Sequence, residues 1–279
     1  EVAGSHLAYT LFKKDTNACK STHRSLMLLH GAGVAGELTW AFIINYLEHW
    51  DEILVPDLLG MGDSYFDAAD SQAFSIEDIC STLLSLLHHH HWTEFDLAGY
   101  SLGGLVALEL NKEVLPDFKI NKMCLIEPAL FSDQSLQASL TFRESFIPIA
   151  NKIKSDPDET KHFIDFLDLV SPKRKRNDKV DLLAVQRLQQ RPYGFANALS
   201  AVSEYAKKLD QPRLNSLLAL LPPGVGIVGG LSSPGLLHAQ QKIKQIQPAW
   251  HIETIPRVDH SLVYIRPKVV AQLLNQYLV

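Results

Sequence analysis

The chain has 279 residues, 46% of them apolar and 20% charged, with a formal net charge of −5. A chain of that length buries roughly three quarters of its unfolded surface, enough for one large domain or two small ones. The mild acidity gives no basic stripe for nucleic acid or an anionic membrane, and no apolar run approaches the ~18 residues that cross a bilayer. Cys19, Cys80 and Cys124 have the spacing of neither a disulfide framework nor a metal site, and they read as reduced thiols of a cytoplasmic protein. The opening Glu1-Val2-Ala3-Gly4 carries no signal-peptide pattern. It does not begin with Met, so a removed leader stays open.

In chain order, residues 25–30 (SLMLLH) form a continuous apolar run that predicts a buried strand, and 52–55 repeats it. Over 76–87 the apolar residues Ile76, Ile79, Leu83, Leu86 and Leu87 recur at helical spacing. Four histidines, 88–91, end that stretch. Four imidazoles invite a metal, but consecutive helix residues point in different directions, and partial positive charge suits a helix C-terminus. Residues 95–98 and 122–126 predict two more strands.

After Glu127 the rhythm changes. From about 131 to 221 no strong strand pattern appears, while Phe163, Phe166, Leu167 and Val170, then Leu182, Val185 and Leu188, fit helix faces, and 195–209 also reads as helical. The basic run Lys173-Arg174-Lys175-Arg176 reads as a solvated connection between helices rather than a nuclear or nucleic-acid signal. Pro222-Pro223-Gly224 marks the return to strands at 226–228 and 251–255, and 267–277 predicts a closing helix. Strands alternating with helices argue for a mostly parallel sheet covered on both faces, with a helical insertion on top.

Gly99-Tyr100-Ser101-Leu102-Gly103 matches G-x-S-x-G between the 95–98 strand and a helix starting near Gly104. That strand–turn–helix context is what a nucleophile elbow requires. Glycines on either side remove clashing Cβ atoms from a strained turn, and the helix N-terminus aims free N–H groups at the reacting centre. A glycine-rich turn with an incidental serine is the plainer alternative. A serine hydroxyl needs a base, for which the candidate is His260 in Val258-Asp259-His260-Ser261. Acyl transfer also needs donors for an oxyanion. The candidates are the N–H groups of Leu102 and of Ala32, the latter within His30-Gly31-Ala32-Gly33, where His30 shapes the loop.

Together, His30-Gly31-Ala32-Gly33, the stretch 56–64 (PDLLGMGDS), the G-x-S-x-G motif and Asp259-His260 resemble the α/β-hydrolase superfamily, and more narrowly its capped esterase- and lipase-like members. The resemblance implies an α/β-hydrolase fold: a mostly parallel sheet flanked by helices, with a helical cap inserted after the sixth strand. The core domain would span 1–130 and 222–279 and the cap, or lid, 131–221. It implies Ser101 as nucleophile and His260 as base, and it leaves Asp57 and Asp63 in a structural loop. Members commonly place an Asp after the next-to-last strand, but here Gly229-Gly230-Leu231-Ser232-Ser233-Pro234 offers no carboxylate. The family's other location, the end of the preceding strand, holds Glu127. A carboxylate is needed to hold the imidazole in the right tautomer, so Glu127 is the nominated acid. Asp259 is the poorer choice, and a weak or missing acid is the third.

The expected activity is hydrolysis of a small or medium carboxylic ester, thioester or lactone through an acyl-enzyme on Ser101, without cofactor or metal. The partner is a small ester-like molecule, with no nucleic acid and no membrane. The pocket should lie where core and cap meet, with Phe131, Phe142, Phe146 and Trp40 as lining candidates. Two alternatives stand beside it. Cofactor-free ring-cleaving dioxygenases resemble this layout and would use the His260–Glu127 pair to deprotonate an aromatic substrate. A hydrolase-fold protein used only for binding is the other. Haloalkane dehalogenases and epoxide hydrolases carry an Asp nucleophile where this chain has Ser101, which disfavours both.

Overall fold

Runs that are apolar at every position have to be covered on both faces, and the middle of the sheet is built largely from such runs. The computed structural model describes residues 4–14, 23–67, 71–113, 117–130, 135–174 and 176–279. Two short strands come first, β1 (Ser5–His6) and β2 (Tyr9–Lys13). β3 (Ser25–Leu29) is buried throughout, and a glycine-rich loop leads from it into α1 (Gly36–Ile44), β4 (Glu52–Pro56) and β5 (Tyr65–Phe66). α2 (Ile76–His89) opens on a capping box in which Ser75 and Asp78 satisfy each other's backbone N–H groups. β6 (Glu94–Tyr100) turns directly into α3 (Leu102–Glu113), and β7 (Lys119–Ile126) follows.

Six helices come next among the described residues: α4 (Leu136–Glu144), α5 (Phe146–Ser155), α6 (Thr160–Val170), α7 (Asp178–Leu188), α8 (Pro192–Lys207) and α9 (Gln211–Ala219). The chain then completes the sheet with β8 (Gly224–Gly229), α10 (Pro234–Ile246) and β9 (Trp250–Ile255), and ends in α11 (Leu262–Ile265) and α12 (Pro267–Tyr277). All six strands expected from apolar runs are present. β2 gave no such run, because it is a half-exposed edge strand.

The large sheet has the order β2-β4-β3-β6-β7-β8-β9. β2 pairs antiparallel with β4, and every other neighbour is parallel. β1 and β5 form a separate antiparallel ribbon. Side chains alternate between the two faces as the pleat requires. Met27, Leu29, Leu97, Met123 and Leu125 enter one core with α2 and α3. Leu26, Leu28, Ala98, Cys124 and Ile126 enter the other with α1 and α12. This is the mostly parallel sheet flanked by helices of the α/β-hydrolase fold. The helical segment follows β7, fifth in chain order in the large sheet where the expectation counted six. One antiparallel strand, β2, precedes β3 in that sheet among the described residues.

A third apolar cluster belongs to the inserted helices and includes Phe146, Phe163, Val185, Leu188 and Phe195. α9 stands apart from it, since Leu214, Leu217 and Leu218 join the core under the sheet. Leu182 was expected on the buried face of its helix but is 53% exposed, while Val185 and Leu188 are buried. The basic run is not simply solvated: Arg174 bridges Asp168 and Asp181, and Arg176 pairs with Asp168, which ties α6 to α7. Lys175 lies outside the described residues. Cys80 and Cys124 are buried thiols, and Cys19 lies outside the described residues. Among the described residues no helix is long and apolar enough to cross a membrane.

Removing the α2 cap should cost about 1 kcal/mol. Ser75→Ala is expected to lower the urea midpoint with an unchanged denaturant slope. An unchanged midpoint would show that the capping box contributes nothing to stability.

Candidate active site

The site forms where strands end. At the C-terminal end of β6, Gly99 and Gly103 let the strand and the following helix approach closely. A Cβ on Gly99 would lie 2.3 Å from the Gly103 carbonyl oxygen, and one on Gly103 would lie 2.3 Å from that of Leu29. Between them Ser101 adopts φ +54°, a conformation that costs a non-glycine residue about 1–3 kcal/mol. Three backbone bonds hold it there. Ser101 N–H donates to Ile126 O at 2.9 Å, Ala129 N–H donates to Ser101 O at 2.8 Å, and Gly103 N–H donates to His30 O at 2.9 Å. The elbow is therefore stitched to the end of β7 on one side and to the loop after β3 on the other.

His260 comes from the turn after β9. Its Nε2 is 3.0 Å from Ser101 Oγ, and its Nδ1 is 2.6 Å from Glu127 Oε2. With Glu127 as a carboxylate, Nδ1 carries the proton and Nε2 is left to accept from the serine hydroxyl. Tyr100 holds the base from below. Its hydroxyl donates to the His260 carbonyl oxygen at 2.7 Å, and its ring lies 5.1 Å from the imidazole. Burial pushes the Tyr100 phenol well up, so it remains a donor. Tyr100 is a positioning residue that the sequence reading passed over, although it fills a variable position of the motif itself.

Glu127 is 1% exposed and sits at φ +44° just past β7. Its second oxygen, Oε1, accepts the Gly229 N–H at 2.7 Å. Gly229 ends β8, next to the stretch that lacks the expected aspartate. That strand end supplies a donor to the acid instead of supplying the acid. Asp259 is turned away: its Oδ1 accepts from the backbone N–H and the hydroxyl of Ser261.

Ala32 and Leu102 border the same cavity as Ser101 and His260. Neither backbone N–H donates to a protein acceptor among the described residues. The loop carrying Ala32 is pinned by His30, whose Nδ1–H donates to Gly31 O at 2.7 Å while Nε2 accepts Leu58 N–H at 2.8 Å. Asp57 works similarly, accepting the N–H groups of Gly36 and Asp63, and Asp63 is exposed. The cavity measures about 230 Å³, with Phe142, Phe146, Phe166 and Leu199 among its apolar walls. Trp40 is not part of it. That ring is fully buried in the core that α1 forms against the opposite face of the sheet. Phe131 lies outside the described residues. Among the four histidines, His88 packs against Phe118, and His90 against Tyr9 and His89.

A model of the alpha/beta hydrolase family matches residues 26–273. No curated protein matches the sequence. Among solved structures, a thermophilic esterase from Thermogutta terrifontis with malate bound is 19% identical, at a TM-score of 0.73 over 98% of this chain and 92% of that one. The enol-lactonase from Burkholderia xenovorans LB400 is 16% identical, at a TM-score of 0.72 over 99% and 97%. MenH from S. aureus is 19% identical, at a TM-score of 0.73 over 96% and 98%. At these identities the likeness is one of fold.

Burial holds the His30 pKa below its ordinary value, against the opposing effects of the Gly31 bond and Asp57. A depressed histidine contributes stability that is complete above the unfolded pKa of about 6.5 and is lost as pH falls toward the folded value. His30→Phe should therefore be less stable at pH 7.5, by about 1–3 kcal/mol for the orphaned Leu58 N–H, yet lose less stability than wild type between pH 7 and pH 5. Chemical denaturation at several pH values checks this; parallel curves would place the acid sensitivity elsewhere.

Proposed function

The chain belongs to the alpha/beta hydrolase family, and we propose that within it the protein is a serine hydrolase of small carboxylic esters, thioesters or lactones. The observation that carries this reading is the continuous relay from Ser101 Oγ through His260 to Glu127, at 3.0 Å and 2.6 Å. Ser101 Oγ attacks the carbonyl carbon while His260 Nε2 takes its proton, and Glu127 stabilises the imidazolium that forms. The oxyanion rests on the N–H groups of Ala32 and Leu102. His260 then returns the proton to the leaving oxygen or sulfur. Water, activated by the same base, frees the acid from Ser101.

The helices of 131–221 serve as the cap over the core of 1–130 and 222–279, and they supply the apolar walls around the acyl group. A cavity of about 230 Å³ favours short acyl groups over long ones. A purely binding role drew its support from a missing acid, and Glu127 fills that place. The dioxygenase alternative uses the His260–Glu127 pair alone. Hydrolysis is favoured over it by the Ser101 contact and the two N–H groups without acceptors among the described residues.

Assays with p-nitrophenyl esters from acetyl to dodecanoyl test the proposal. Activity should peak at short chains and fall by up to about 10⁶ in Ser101→Ala. Glu127→Gln should lose about 10⁴ in kcat, because the amide can hold the wrong tautomer. Equal hydrolysis by wild type and Ser101→Ala would overturn the serine mechanism, and oxygen uptake with an aromatic substrate would then favour the dioxygenase.

A further inference from the structure

The cavity contains a cation that the acyl-transfer steps do not use. Arg143, on α4, is 9% exposed and borders the same space as Ser101 and His260. Its Nε is buried without a hydrogen-bond partner among the described residues, and no carboxylate among them pairs with the guanidinium. Its neighbours are instead two rings: the guanidinium carbon lies 5.2 Å from the Phe142 centroid and 5.3 Å from that of Phe146. Burial lowers the Arg143 pKa to about 9, so the group is still a cation near neutral pH.

Arginine side chains on a helix ordinarily reach water with their heads and bury only their stems. Here the head is inside, where an uncompensated charge is unfavourable. Contact with ring faces offsets part of that cost, but it leaves the planar N–H fork unused. That fork matches a carboxylate in two parallel hydrogen bonds. One guanidinium also balances one negative charge, which suits a carboxylate better than a phosphate monoester with close to two. Most of the remaining wall, including Phe166, Leu199 and Leu236, is apolar, with Ser233 the polar exception.

We propose that Arg143 is an anion-recognition residue of this cavity and that the substrate carries a free carboxylate separated from its scissile carbonyl by a short apolar spacer. The substrate class is then a dicarboxylic half-ester or half-thioester, or a lactone bearing an acid. The proposal rests on the reading of Ser101 and His260 as the reacting pair, which sets the other end of the ligand.

Binding to Ser101→Ala protein, measured by titration calorimetry, separates the two ideas because it requires no turnover. The probes are monomethyl glutarate and its uncharged carboxamide analogue, methyl 5-amino-5-oxopentanoate. The acid should bind at least about tenfold more tightly, as expected for hydrogen bonds to a charged group. Adding Arg143→Met should abolish the preference, whereas Arg143→Lys should keep part of it, with circular dichroism verifying the fold of each variant. Equal affinity for the two probes, or no binding of the acid, overturns the proposal without recourse to any Arg143 variant. So does a preference that survives in folded Arg143→Met protein, since it would come from the oxyanion donors. A carboxylate preference in a protein inactive on every ester would retain the Arg143 site and remove the hydrolase reading. Esterase activity without the preference would do the reverse.

Discussion

Burying the Glu127 carboxylate demands a donor for each oxygen, and the geometry around Ser101 depends on how that demand is met. One oxygen takes the Gly229 N–H and the other takes His260 Nδ1. An unpaired buried charge costs several kcal/mol, so the ends of β7 and β8 and the turn after β9 have to stay in register with one another. Parallel pairing of these neighbouring strands delivers that register, because their C-terminal ends all emerge on one edge of the sheet.

The same edge carries two residues in the left-handed region, Ser101 and Glu127. Each is strained by about 1–3 kcal/mol. Ser101 donates to Ile126 O and accepts from Ala129 N–H, on either side of Glu127, while the Glu127 N–H donates to Ile227 O on β8. Relaxing the Glu127 turn would therefore disturb the bonds that hold Ser101. Strain of this kind persists only where the surroundings over-determine it, and here they do so through backbone bonds that depend on no particular side chain. His30 and Asp57 extend the arrangement to the loop after β3, leaving the N–H groups of Ala32 and Leu102 without acceptors among the described residues.

Sheet and insertion contribute different things to the cavity. The strand ends bring the polar groups, held by backbone pairing. The inserted helices bring phenylalanine and leucine walls together with Arg143, all held by apolar packing. A polar constellation fixed by hydrogen bonds can stay constant while walls fixed by packing change shape and charge.

Much of this was legible in the sequence for a simple reason: local pattern reports local structure. Six short runs, most of them continuously apolar, became six strands of one sheet, and G-x-S-x-G between a strand and a helix became a strained turn. β2 was not legible because an edge strand needs no apolar run. Trp40 was named as a lining candidate, yet its ring is buried in the core that α1 and α12 share, a placement made by topology and not by local sequence. Glu127 entered as a candidate because the resemblance to the α/β-hydrolases implies an acid at that strand end. Only the folded structure brings it within hydrogen-bond distance of His260 and shows the Gly229 N–H on its other oxygen, because those contacts span more than a hundred residues. Arg143 had no sequence signal at all, since an arginine on a polar-looking helix is ordinarily solvated. The chain by itself determined where strands, turns and candidate reactive groups fall. The tertiary structure decided which of those groups meet and which charge is shut away from water, because burial and long-range pairing are properties of the packed whole.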